Sequence, residues 1–312
     1  MSVSDLVARA LEGDLNHRED QCALTEEWVM PAMPEVVRLA TAAREKTNFS
    51  HQQRIEKNAR RPVQVAEGDR DLAQYPIGFC KIICEDVFRD LSQHPLIQDL
   101  VNRGVVFKNV YIILYGRYFQ NAIQIGNLYL DAANDTVDPE KPFLEWMPIA
   151  DLDYQNLESW EQVISVVESY FHTRVIPNRY FPLLAPFVPF LSIRSEGQLE
   201  LLMFQDLFFL KDLGDGMRRY IEWISSKQGA AARTLSKDDQ ALLKREFGAN
   251  LFQQFPFEYA PATTEQLIDQ AKDLYAASLD ENGEAVITKL VELARQASVI
   301  FKSRQLKSRG TR

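Results

Sequence analysis

Gln74 and Cys80 bracket the segment Gln74-Tyr75-Pro76-Ile77-Gly78-Phe79-Cys80, in which a glycine precedes the cysteine by two residues and the cysteine opens a helix. These residue types in this order suit acyl chemistry on a thiol. At a helix N-terminus the backbone N–H groups and the macrodipole favour an anion, which raises the reactive thiolate fraction. A Gln74 side chain reaching back would donate to a developing oxyanion beside the Cys80 backbone N–H, and Gly78 would let a substrate backbone approach closely. Cys80 has a second reading, a small buried apolar residue at a helix start. Cys84, one turn later, would face the same way and reads as packing.

Other side chains offer weaker chemistry. Glu168 precedes His172 by four residues, a spacing that brings the two onto one helical face and raises the imidazole pKa, although a helix-end or surface histidine explains it as well. Asp131, Asp135 and Asp138 form an acidic cluster that could hold Ca²⁺ or Mg²⁺, but it lacks the glycine and terminal glutamate of an EF-hand loop. Solvated turn residues and helix caps account for it. Asp151-Leu152-Asp153 has the form of a metal-diphosphate motif, with no glycine-rich phosphate loop to accompany it. No metal or cofactor is therefore assigned.

The elements that must position these residues follow from periodicity. Leu6 to Ala43 recurs at helical spacing, with Pro31 and Pro34 expected to break it, and Asn48 to Arg70 reads as a helix end and exposed connector. From Cys80 to Leu91 the residues Ile83, Val87 and Leu91 form an amphipathic stripe. Strand composition then dominates in Val105 to Phe107, Val110 to Leu114, Tyr118 to Ile125 and Leu128 to Leu130, punctuated by Gly116 and Gly126-Asn127. Beyond Pro148 the helical period returns at Trp160 to Phe171. A proline-punctuated segment follows from Ile176 to Pro189, then a strand at Phe190 to Ile193. Its aromatic part, Tyr180 to Phe190, reads either as the wall of a peptide or acyl groove or as a buried connection.

Helices are predicted at Leu199 to Leu210, Met217 to Ile224, Asp238 to Phe247, Glu265 to Ala277 and Glu284 to Phe301. The fold class is α+β: an antiparallel sheet packed on helices, with a largely helical C-terminal half. Residues 1–70 form a helical layer and connector, 71–194 the α+β core, and 195–312 a helical region with a basic tail. A boundary between two lobes is expected near Ser195.

Over residues 70–135 the glutamine-to-cysteine spacing and the helix-then-sheet order resemble the papain-like cysteine peptidases and their transglutaminase-like branch. The resemblance implies a helix bearing the nucleophile, then an antiparallel sheet with a histidine on one strand and an aspartate or asparagine on the next. Tyr118 to Ile125 and Leu128 to Asp131 correspond to that hairpin, with Gln120, Ala122 and Gln124 on one face and Asn121, Ile123 and Ile125 on the other. Asp131 falls where the orienting acid belongs. Gln120 stands in the histidine's place, or Phe119 if the register slips by one, and an amide cannot take a proton from a thiol.

Two functions stay open. One is thiol-dependent acyl transfer or amide hydrolysis by Cys80 on a protein or small acyl or amide substrate. Gln74 would then be the oxyanion donor, Asp131 the orienting acid and Gln120 the polar residue in the histidine's place. The other is a non-catalytic binding or scaffold protein that keeps a degenerate core of this type and engages a protein partner through its helical half. An active nucleophile needs a depressed pKa and solvent access, and a scaffold cysteine needs neither.

Composition bounds the setting. The 312 residues are 46% hydrophobic and 25% charged, which excludes a disordered, collagen-like or disulfide-scaffold chain. A net charge of −9 argues against a general nucleic-acid binder, although the last eleven residues carry five cations and no acid. The three cysteines fit a reducing compartment. Acidic residues early in the chain and the absence of a long apolar run predict no leader and no membrane span, hence a cytoplasmic protein.

Overall fold

A computed structural model describes residues 12–59, 75–194, 199–201, 206–227, 233–247 and 259–280, with scattered positions beyond 282. Residues from Glu12 to Asn156 form one compact unit, and the described residues from Leu157 onward form another. The division falls upstream of the Ser195 region that composition indicated. The architecture is α+β, and the C-terminal half is largely helical.

In the first unit, single 3-10, α and π turns at Glu19–Gln21, Cys22–Leu24 and Thr25–Val29 run directly into helix α1, Met30–Ala59. Pro31 and Pro34 therefore do not break the segment as expected. The wide π turn at Thr25–Val29 shifts the hydrogen-bond register just before Pro31 removes a donor, and Pro34 lies inside α1. Helix α2, Cys80–Ser92, buries Ile83, Cys84, Val87 and Leu91, the expected stripe with Cys84 added. Helix α3, Pro95–Asn102, starts with proline at its first position, and Nδ1 of the N-cap His94 accepts the Leu96 N–H at 3.2 Å.

Strands β1 (Phe107–Leu114), β2 (Tyr118–Ile125), β3 (Leu128–Asp131), β4 (Glu145–Pro148) and β5 (Tyr154–Asn156) form a five-stranded antiparallel sheet in the order β4-β3-β2-β1-β5. Side chains alternate between its faces. Ile123, Ile125, Leu128 and Leu130 pack with Val36 and Ala40 of α1 and with Ile83 and Val87 of α2. On the opposite face Val110, Ile112, Leu114, Ala122 and Tyr129 are covered by Leu15, Ile149 and Leu152.

The second unit opens with α4, Trp160–Tyr170, whose capping box pairs Ser159 with Gln162. Strands β6 (Thr173–Pro177), β7 (Phe190–Arg194) and β8 (Leu199–Leu201) form a small antiparallel sheet. The start of the helix expected at Leu199 is thus a strand. Helices α5 (Asp206–Gly214), α6 (Arg218–Ser225), α7 (Lys237–Phe247) and α8 (Thr264–Ser278) follow. Tyr180, Phe181 and Phe187 are buried, so the proline-aromatic segment is a core connection rather than a groove wall. Trp160 anchors that core, with Phe190, Phe208 and Trp223 around it. Among the described residues no helix is long and apolar enough to cross a membrane. The basic tail and most of Glu284 to Phe301 lie outside the described residues.

Candidate functional site

Cys80 is set at the start of α2 by a turn in which the Phe79 N–H donates to Pro76 O at 3.0 Å and Gly78 adopts a positive φ of 78°. The Gly78 N–H donates to Thr136 O at 3.2 Å, tying this turn to the segment after β3. Two sides of α2 then diverge. Phe79 and Asp86 meet His51 of α1, and Asp90 pairs with Lys46 at 2.7 Å. Cys80 and Cys84 turn instead to the sheet.

The Asn121 side chain on β2 donates Nδ2–H to the half-buried Cys80 sulfur at 3.5 Å. Cys84 donates its thiol hydrogen to Asn109 Oδ1 on β1 at 3.6 Å. Tyr111 pairs directly with Asn121 across β1 and β2, and its buried hydroxyl has no hydrogen-bond partner. Burial pushes the Cys80 thiol above the ordinary cysteine range, with the Asn121 N–H pulling the other way and the charge of Asp131 adding to the rise. Cys84, fully enclosed, is pushed up further by the same burial.

Gln120 and Asp131 meet each other, not the thiol. Gln120 Nε2 donates to Asp131 Oδ2 at 2.6 Å, the Tyr129 hydroxyl donates to the same oxygen at 3.1 Å, and the Ala133 N–H donates to Oδ1 at 2.7 Å. Strand alternation puts Gln120 with Ala122 on the face away from α2, while Asn121 lies with Ile123 on the face toward it. The residue on the thiol is thus Asn121, and the expectation of Gln120 there is corrected by one position. Burial raises the Asp131 carboxyl to about 7, against the lowering effect of its three donors. Gln120 Oε1 is buried without a partner.

Gln74, expected to donate to an oxyanion, lies outside the described residues. Among the described residues no imidazole bonds Cys80. His51 is buried with both ring nitrogens unbonded, its Nε2 3.8 Å from Asp86 Oδ2, on the side of α2 that faces α1. Burial lowers its pKa. Glu168 accepts from the Val175 N–H at 2.9 Å and from Arg233, rather than engaging His172. The acidic cluster separates into a buried Asp131, an Asp135 paired with buried Arg44 at 2.9 Å, and an Asp138 that accepts the Glu140 N–H at 3.1 Å. Among the described residues no three His, Cys, Asp or Glu side chains converge to hold a metal ion.

As it stands, the arrangement holds a thiol in its protonated form. An amide donor can stabilise a thiolate once formed but cannot accept the proton whose loss forms it. The signal for Asn121 was present in the strand: Ile123 and Ile125 mark the face that must cover the α2 stripe, and Asn121 shares their parity. No protein-family model, curated protein or solved structure matches the chain.

Proposed function

We propose that the chain is a non-catalytic binding protein, in which a core resembling the papain-like and transglutaminase-like arrangement serves as a scaffold and the helical half engages a protein partner. The observation that carries this reading is the contact between Cys80 and Asn121. A nucleophilic cysteine needs a base at hydrogen-bond reach and an environment that favours the thiolate. Here the partner is a donor, and burial disfavours the charge.

The test is the pH dependence of Cys80 alkylation by iodoacetamide in the intact chain, read by peptide mass mapping so that no cysteine need be replaced. The expected labelling is slow at neutral pH and rises only above the usual range of a free thiol, about 8.5. Fast labelling well below that pH, slowed on substitution of Asn121 by Ala, would instead favour thiol-dependent acyl transfer by Cys80.

A further inference from the structure

Cys22, at the beginning of the helical run that leads into α1, has the surroundings that Cys80 lacks. Its half-exposed sulfur accepts an N–H from Asn127 Nδ2 at 3.4 Å and lies 4.0 Å from Nε2 of His17, an exposed imidazole. The thiol hydrogen has one further acceptor, Arg18 O at 3.7 Å. Asn127, in the turn between β2 and β3, is held firmly. Its Oδ1 accepts the Arg18 N–H at 2.9 Å, its Nδ2 also donates to Arg18 O at 2.8 Å, and its backbone N–H donates to Thr25 Oγ1 at 2.9 Å. A thiol, a base and a donor for the sulfur anion therefore meet where a small molecule can reach them.

From this geometry we infer that Cys22, with His17 as its base, is a site of thiol–disulfide exchange with small disulfides. The choice of substrate class follows from the donors. Attack on an acyl carbon would need free N–H groups for the oxyanion, and those of Cys22, Gln21 and the Asn127 side chain are committed. The Cys22 N–H donates to Glu19 O, the Gln21 N–H donates to Arg18 O, and both hydrogens of Asn127 Nδ2 are used. Attack on a disulfide creates no oxyanion. His17 takes the Cys22 proton, the Cys22 sulfur bonds one sulfur of the disulfide, and the S–S bond breaks. The electron pair leaves on the second sulfur, which receives the proton from His17. Cys22 is oxidised to the mixed disulfide, and the departing sulfur is reduced to a thiol.

The intact chain treated with glutathione disulfide provides the test, with the adduct located by peptide mass mapping and circular dichroism confirming that the His17→Ala variant is folded. The adduct is expected on Cys22, forming in His17→Ala at a rate lower by about threefold or more near pH 7. That deficit should vanish near pH 10, where a thiol ionises without help. An adduct on Cys80 or Cys84 in place of Cys22, or an unchanged rate in His17→Ala near pH 7, overturns the proposal. A deficit of equal size near pH 10 also overturns it, because it would give His17 a purely structural role.

Discussion

Asp131 combines near-complete burial with three donated hydrogen bonds, and the balance of the two leaves its carboxyl at about 7. The unfolded chain would ionise it near 4, so the folded pKa is the raised one. Its contribution to stability is then full below about pH 4 and is lost as pH rises through about 7. Between about pH 5 and 8 this amounts to roughly 2 to 3 kcal/mol. Asp131→Asn keeps the shape and removes the titration, and the free Oε1 of Gln120 can accept from the new amide after a flip of the Gln120 side chain. Urea midpoints should therefore fall with pH in the wild type by more than in Asp131→Asn. Parallel curves for the two proteins would show that Asp131 ionises normally in the fold. At this scale the sequence made Cys80 and the polar β2 residues visible, but it pointed to Gln120, or to Phe119 if the register slips by one, where the structure sets Asn121 against the thiol. Both faces of β2 carry amides, so polarity alone leaves the strand's parity open, and only the apolar partners Ile123 and Ile125 settle it.

Turns and helices show how closely the elements of the first unit are interlocked. Gly126, at a φ of 58°, comes so near Thr25 that an added Cβ would lie 2.4 Å from its Oγ1, whereas Gly116, at 61°, has open space around the same position. Both substitutions by alanine meet the left-handed penalty, about 1 to 2 kcal/mol. Gly126→Ala must in addition push the β2–β3 turn away from the π turn at Thr25–Val29, so it should be the more destabilising of the two in urea titrations. Equal losses would mean that this contact yields easily. Helices α1 and α2 and the three central strands were legible because their apolar periods run for two turns or more, or through several alternations, whereas α3 at Pro95–Asn102 was not expected. β4 and β5 were missed: four and three residues long, they are too short to show a period and owe their place to pairing with β3 and β1. The continuity of α1 through Pro31 and Pro34 was hidden for a different reason, since a π turn leaves no compositional mark.

For the whole chain, composition gave the class and the helical C-terminal half but not the division at Asn156–Leu157. No proline- or glycine-rich linker marks that point, and the break is one of packing: β5 ends the first sheet, and the Ser159 cap begins the next helix three residues on. The acid buried at the end of β3 also makes unfolding a chemical event. At slightly acidic pH the folded protein holds a proton on Asp131 that the unfolded chain releases into the solvent. The buffer must absorb it, and the heat of that neutralisation enters the calorimetric enthalpy. Wild type and Asp131→Asn should accordingly differ in how their unfolding heats change between phosphate and Bis-Tris, two buffers of very different protonation enthalpy that both act at slightly acidic pH, and identical buffer dependence would place no proton on Asp131. One side chain in the interior thus turns the cooperative transition of this unit into a measurable exchange of acid between protein and solution.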